Sequence, residues 1–254
     1  MDKRIITRNF SRCAHTYDRY ADIQKRAASE LLGLIDQVDF RNILEIGCGT
    51  GNYTLLLMKK FKQAKLEAID LSERMVEVAC EKFKRGEVDF RVADAENTEL
   101  RENYDLITSN ACFQWFEDLR KALRKYKGSL SKEGIIAFSI FGPGTFKELN
   151  ESLKSLGLSA FGNGVSFTSQ EGLKSILEEN FKEAQIKEAL YEETFLCLKD
   201  LLRKIKYTGI RGEGFGAKML FTPRVFERLQ DCYLGKFKKI KATCQVFYCR
   251  ARKG

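Results

Sequence analysis

The 254-residue chain is poor in several features that would have given it a different life: it has two prolines, one tryptophan and one histidine. No apolar stretch approaches the roughly 18 residues that cross a bilayer, so no membrane span is expected. The first nine residues carry basic side chains but no apolar h-region, which argues against a secretory signal. His15 is alone, and the eight cysteines contain no C-x-x-C pair, so no zinc site is expected. Single cysteines at 13, 48, 80, 112, 197, 232, 244 and 249 fit a reducing cytoplasm, where they pack as small apolar groups. Cys48 reads as such a residue rather than a nucleophile. The chain has no internal repeat or low-complexity tract, so one domain spanning 1–254 is expected.

What the sequence does have is Glu45-Ile-Gly-Cys-Gly-Thr-Gly51, closing a short apolar run of Ile43, Leu44 and Ile46. It reads as a buried strand that breaks into a glycine turn and then a helix over 52–61. Gly47, Gly49 and Gly51 permit a sharp turn and a close approach to a ligand. The spacing is G-x-G-x-G, not the G-x-G-x-x-G of dinucleotide binders. Asp70 follows where a second strand, 65–69, ends. Such an acid suits a ribose, and nothing here cradles a bulky pyrophosphate.

Strand and helix signals then alternate. Ser72 is placed to cap a helix with Met75, Val76, Ala79 and Phe83 on one face. Val88, Phe90 and Val92 alternate in a third strand that runs to Asp94. A fourth strand covers 104–109, a helix 119–130 and a fifth, nearly all-apolar strand 134–141. This order predicts an α/β fold with a doubly wound, mostly parallel sheet. Ligands in such sheets bind beyond the carboxyl ends of the strands. Glu45, Asp70, Asp94 and Asn110 all fall at those ends, so four polar groups converge on one crevice. Further on come a helix over 169–180, a strand over 184–195, a basic helix over 198–207 and a glycine-rich loop over 209–216. Thr222 and Pro223 open another helix, and 243–250 is the closing strand. The segment 22–34, with Ile23, Ala27, Leu31 and Leu34 at helical spacing, is expected to lie across the crevice as a lid.

The net charge of +9 is uneven. Residues 199–254 carry 15 Lys and Arg against 4 Asp and Glu, whereas 1–198 carry 29 against 31. A basic C-terminal face suits an acidic partner, or simply solvates the exterior. Nucleic acid is not the expected partner, because the chain lacks the aromatic–basic interleaving of a stacking platform.

An acid followed by G-x-G-x-G resembles the first motif of the class I S-adenosylmethionine (SAM) methyltransferases. The resemblance extends to one family, the malonyl-acyl-carrier-protein O-methyltransferases of biotin synthesis. It is carried by Phe10-Ser-Arg-Cys-Ala-His-Thr-Tyr-Asp18 with Ile23-Gln24, by Asp70-Leu-Ser, Asp94-Ala-Glu96, Ser109-Asn110 with Gln114-Trp115, and by Gly142-Pro-Gly-Thr145. Leu202 to Gly209, Phe221 through Leu229 and Ala242 to Tyr248 extend it toward the C-terminus.

The resemblance implies a seven-stranded Rossmann-like sheet with an N-terminal helical lid and a helical insertion before the last strand. It implies SAM as cofactor, held by Glu45, Gly47, Gly49, Gly51, Asp70, Leu71, Met75, Asp94, Ala95 and Asn110. Asp70 would take the ribose hydroxyls, Asp94 the adenine amine, and Glu45 the cationic amino-acid end. Tyr17 and Gln24 are implied as lid contacts near the reaction, and Trp115, with Phe113 and Gln114, as the wall of the methyl-transfer site. The acceptor would be the free carboxyl of malonyl-acyl-carrier protein or malonyl-CoA. That carboxyl is ionised at neutral pH, so no acid–base triad is needed. Arg211 is a candidate to orient the malonyl carboxylate, or is a solvated loop charge.

Acyl carrier proteins are acidic, which gives the basic residues Arg203, Lys204, Lys206, Lys236, Lys238, Lys239 and Lys241 a candidate role in docking. The chain is expected to act as a monomer. Other readings of the same scaffold are a methyltransferase for another small carboxylate or hydroxyl, a protein arginine hydroxylase, and a SAM-binding module without turnover.

Overall fold

The computed structural model describes residues 2–36, 39–159, 167–208 and 222–254. Two helices, α1 (Lys3–Tyr17) and α2 (Asp22–Gly33), precede the first strand. Strands β1 (Asn42–Ile46), β2 (Lys65–Asp70), β3 (Asp89–Val92), β4 (Tyr104–Asn110) and β5 (Leu130–Phe141) are joined by α3 (Asn52–Lys60), α4 (Glu73–Cys80) and α5 (Leu119–Ser129). Beyond β5 lie α6 (Lys147–Ser155), α7 (Gln170–Asn180), β6 (Lys182–Phe195), α8 (Leu198–Tyr207), α9 (Pro223–Phe237) and β7 (Ile240–Arg252).

The seven strands form one sheet in the order β3-β2-β1-β4-β5-β7-β6. β1 to β5 pair in parallel, and β7 enters antiparallel between β5 and β6. The strand order reverses direction at β1 and β4, which opens a crevice above their carboxyl ends. Alternate residues of β1 and β4 face opposite sides: Ile43 and Leu106 join one apolar core, and Leu44, Ile46 and Ile107 the other. Both faces of the sheet are therefore covered, as a parallel sheet requires.

Local chemistry sets several boundaries. The Ser72 hydroxyl accepts from the Met75 N–H to start α4, Ser169 accepts from Gly172 to start α7, and Thr222 caps α9 with Pro223 at its first turn. Each such cap contributes about 1 kcal/mol. The insertion expected before the last strand is α8 and α9. The glycine-rich loop 209–216, Arg211 within it, and Phe221 lie outside the described residues.

One expectation is corrected. The helix over 22–34 is not the lid. Its apolar face, Ile23, Ala27, Ala28 and Leu31, is buried in the main core, and α2 packs against α3, β4, β5 and β7. The helix that covers the crevice is α1, whose Lys3, Ile6, Phe10 and Tyr17 line it.

Candidate active site

The turn after β1 folds back on β2, with the Gly47 and Cys48 N–H groups donating to the Ile69 carbonyl at 2.8 and 3.1 Å. Gly47 has φ of 72°, and a Cβ there would meet Cys112 Sγ at 2.4 Å. A Cβ on Gly49, φ of 54°, would meet nothing within 4 Å, so this backbone borders open space. Gly51 does something else: it starts α3 and packs against Ala79 and Phe83, and it does not line the crevice. Asp70 closes the turn from the β2 side. Its Oδ2 accepts from the Gly49 N–H at 2.9 Å and its Oδ1 from the Ser72 N–H at 2.8 Å. The carboxylate keeps acceptor capacity for a further donor. Burial pushes the Asp70 carboxyl up, and the N–H groups of Ser72, Gly49 and Leu71 oppose this.

These residues form the floor of a cleft above the carboxyl ends of β1, β2 and β4. Of the residues implied for the cofactor and reaction, Gly47, Gly49, Asp70, Leu71, Met75, Asp94, Ala95, Asn110, Tyr17 and Trp115 line it. Ile69, Leu71, Met75, Ala95 and Phe116 make its apolar walls. Glu45 and Gln24 lie in a smaller adjoining cavity, which shares Tyr17, Gly47, Gly49 and Asn110 with the cleft.

Glu45 is 1 % exposed, and neither carboxylate oxygen has a hydrogen-bond partner among the described residues. Burial pushes its carboxyl up to about 8; the nearby Thr54 hydroxyl opposes this without reaching hydrogen-bond geometry, and the Asp70 charge adds to it. A buried carboxylate in that condition is costly. It is a ready acceptor for a cationic donor group, which would restore its charge. The apolar walls, the open backbone at Gly49, the remaining acceptor capacity of Asp70 and the unpartnered Glu45 together suit a flat base, a ribose and an ammonium, as SAM presents.

Other side chains are already engaged. Asn110 Oδ1 accepts from Ser139 Oγ at 2.7 Å, and its Nδ2 donates to the Gln24 carbonyl at 3.0 Å, tying α2 to β4. Gln24 itself is buried, and its Oε1 has no partner among the described residues. Trp115, on a short 3-10 turn (Phe113–Trp115), meets Phe10 of α1 edge-on at 5.5 Å. Phe113 turns away into the core against Tyr126 and Phe138, and Gln114 Nε2 donates to the Ala111 carbonyl. Of the three, only Trp115 lines the cleft. Burial pushes the Tyr17 phenol and the Cys48 and Cys112 thiols up, so none is an anionic nucleophile at neutral pH.

Sequence reasoning missed the lid's attachments. Lys3 Nζ donates to both oxygens of Asp94 at 2.8 Å and lies 2.7 Å from Glu96 Oε2. The carboxylate expected to meet an adenine amine is therefore already shared with the lid. Lys3, Asn97 and the Glu96 N–H hold the Asp94 carboxyl below its ordinary value, against the effect of partial burial. At the far end of the helix, Asp18 accepts from Thr50 Oγ1 at 2.6 Å, Asn52 Nδ2 at 2.8 Å and Lys82 Nζ at 2.7 Å. The signal was present: Ile6, Phe10, Cys13 and Tyr17 recur at three- and four-residue spacing, the mark of an amphipathic helix.

A methyltransferase domain model matches residues 44–138. The malonyl-[acyl-carrier protein] O-methyltransferase of Priestia megaterium is 41 % identical over 98 % of this chain and 96 % of its own length. Malonyl-[acyl-carrier protein] O-methyltransferase 2 of Ilyobacter polytropus is 37 % identical over 98 % and 97 %. The chain belongs to the malonyl-[acyl-carrier protein] O-methyltransferase family. Among solved structures, the YcgJ protein of Bacillus subtilis superposes with a TM-score of 0.64 at 16 % identity, covering 90 % of this chain and 98 % of that one, which supports the fold. No helix among the described residues is long and apolar enough to cross a membrane.

Proposed function

We propose that this chain transfers a methyl group from SAM to the free carboxyl of malonyl-acyl-carrier protein, or malonyl-CoA, giving the methyl ester that starts pimeloyl synthesis for biotin. The observation that carries this reading is the match to relatives of that name, which continues past the donor core through the acceptor side. SAM supplies an electrophilic methyl on a positively charged sulfur. Residues 41–141 hold it: Asp70 takes the ribose, the walls of Leu71, Met75 and Ala95 take the base, and Glu45 takes the ammonium. Residues 1–40 supply the cap, and 142–254 the acceptor side, within one domain that works as a monomer in the cytoplasm.

The acceptor carboxylate is already ionised at neutral pH, with a reference pKa near about 4, so the protein need not remove a proton. Its work is alignment and exclusion of water. Tyr17 and Trp115 close the cleft beside Phe10, and Gln24 lies where the donor cavity meets the space between α2 and α8. Charge is cancelled as a sulfonium and a carboxylate react, so an apolar wall favours the transition state over the separated ions.

The test is intact-mass analysis of malonyl-carrier protein after incubation with SAM and the protein. A gain of one methylene, absent when acetyl replaces malonyl, is the expected outcome. No gain on malonyl-carrier protein or on malonyl-CoA would overturn the reading.

A further inference from the structure

Seen along the chain, the basic charge sits in residues 199–254; seen on the surface, it sits elsewhere as well. Helix α1 has two faces. Ile6, Phe10 and Tyr17 look into the cleft, while Arg4, Arg8, Arg12 and His15 follow one another at four, four and three residues and are all exposed. At 100° per residue these four fall within one narrow outward stripe, and exposed Arg19 continues it just past the helix. The stripe contains no acidic residue. Arg4 is paired with Asp2, while Arg8, Arg12 and Arg19 have no carboxylate within ion-pair distance among the described residues.

The surface continues onto α8. Tyr20, next to Arg19, stacks on Tyr207, next to Lys206, at 4.8 Å. Lys199, Arg203 and Lys206 recur at four and three residues and are exposed on the outer face of α8, and among the described residues only Asp200 pairs with any of them. On the other flank α4 exposes Glu73 and Glu77 around Arg74, which bounds the basic surface on that side.

Among the other C-terminal cations, three lysines are committed to carboxylates. Lys204 is held between Asp22 and Glu193, and Lys239 and Lys241 share Glu192. Lys236 and Lys238 hydrogen-bond to neutral oxygens and keep their charge, and Arg224 and Arg228 of α9 have no carboxylate within ion-pair distance among the described residues, but exposed Glu227 and Asp231 interrupt that helix's row as no acid interrupts the stripe on α1. A cation committed to a neighbouring carboxylate adds little to a long-range field, whereas a largely unpaired row along one helix focuses it.

We infer that the outer face of α1, continued by Lys199, Arg203 and Lys206 of α8, is the docking surface for the acidic carrier protein. This inference rests on the carrier-borne acceptor proposed above. The partner's chemistry follows from the surface: a protein face dense in carboxylates, met by guanidinium groups able to bind them in pairs. Docking there places the carrier on the back of the helix that roofs the cleft, beside the α1–α8 junction, rather than on α9 or the β6–β7 hairpin.

The experiment compares methyl transfer to malonyl-carrier protein and to malonyl-pantetheine, which lacks both the carrier's acidic surface and the phosphates of CoA. The triple variant Arg8→Glu, Arg12→Glu, Arg19→Glu is expected to raise KM for malonyl-carrier protein on the order of tenfold or more at low salt. It should leave kcat/KM for malonyl-pantetheine unchanged, which also reports that the variant is folded. The corresponding Gln variant should give a smaller rise of the same sign. A control triple variant at Lys236, Lys238 and Lys239 should leave both acceptors unaffected. An unchanged carrier KM in the Glu variant, with wild-type methylation of both acceptors, overturns the docking surface while the proposed function stands. Loss of carrier binding only in the control variant also overturns it. Association of the wild type with anionic vesicles or duplex RNA, abolished by the α1 variant while carrier kinetics hold, reassigns the stripe and overturns it too. Absence of methyl transfer to either acceptor by the wild type is instead the failure of the proposed function.

Discussion

Two buried glutamates sit in the same sheet-based fold and are treated in opposite ways. Glu148, on α6 in the acceptor half, is fully buried, and both of its oxygens are used: Oε2 accepts from the Thr243 N–H at 2.9 Å and Oε1 from the Thr243 hydroxyl at 2.6 Å. Glu45, at the end of β1 in the donor half, is as deeply buried and has no partner among the described residues for either oxygen. Folding alone does not repay the burial of Glu45. The contrast separates a carboxylate that completes a structure from one that awaits a ligand, although the two are the same residue type at nearly the same depth.

The largest break in that contrast is expected at the loop that carries Glu45. Gly47→Ala puts a Cβ against Cys112 in a left-handed backbone conformation. It should cost about 1–3 kcal/mol of stability and weaken SAM binding on the order of 100-fold, read by melting and calorimetry. A Gly47→Ala variant that binds SAM as tightly as the wild type would remove the loop from the donor site.

Next comes Glu45→Gln, expected to weaken SAM on the order of tenfold while stabilising the empty protein at high pH. The sign follows from the raised carboxyl. Between the ordinary value of 4.5 and about 8 the folded state holds a proton that the unfolded chain has released. Stability of the wild type therefore falls as pH rises through that window, by up to about 1.4 kcal/mol per pH unit, and the penalty is fully present above it. Denaturant melts from pH 5 to 9 should show this slope in the wild type and a flatter one in the variant. Equal slopes would mean that Glu45 is not the group responsible.

Glu148→Gln should behave in the reverse manner, losing about 1–3 kcal/mol because one of the two Thr243 donors loses its acceptor, with SAM affinity intact. A drop in affinity there would collapse the distinction between the halves. The smallest effect is expected at the lid. Lys3→Met removes two partly exposed ion pairs, together worth about 1 kcal/mol, releases Asp94 from the lid, and should speed SAM association. Hydrogen exchange over α1 should rise, and an unchanged exchange pattern would mean that Lys3 does not help hold the helix down.

The donor half was the more legible from sequence, for physical reasons. The glycine turn, Asp70, Asn110 and the Ser72 cap act through neighbours a few residues away or through strand-end geometry that the β/α alternation dictates. The cap at Thr222 is similarly local. What escaped were contacts between distant segments. Lys3 and Asp94 are 91 residues apart, and nothing local to either announces the other. Regular apolar spacing points to 22–34 as the lid, yet α1 has the same kind of spacing. Only the packing of α2 on α3, β4 and β5 shows which of the two is core. A charge tally by chain segment likewise hid the arginines of α1, since residues 1–198 sum to nearly zero while one helix face does not.

The order of the strands has one more consequence, for the company the protein keeps. An exposed strand edge is a template on which another chain can add itself. This sheet has two edges, and each is spoiled differently. At one, β3 is only four residues long. At the other, β6 is 14 residues long, but Lys182, Glu183, Lys187, Glu188 and Glu192 are all exposed along it. Brevity guards one margin and charge of both signs guards the other, so a sheet of seven strands can remain a sheet of seven.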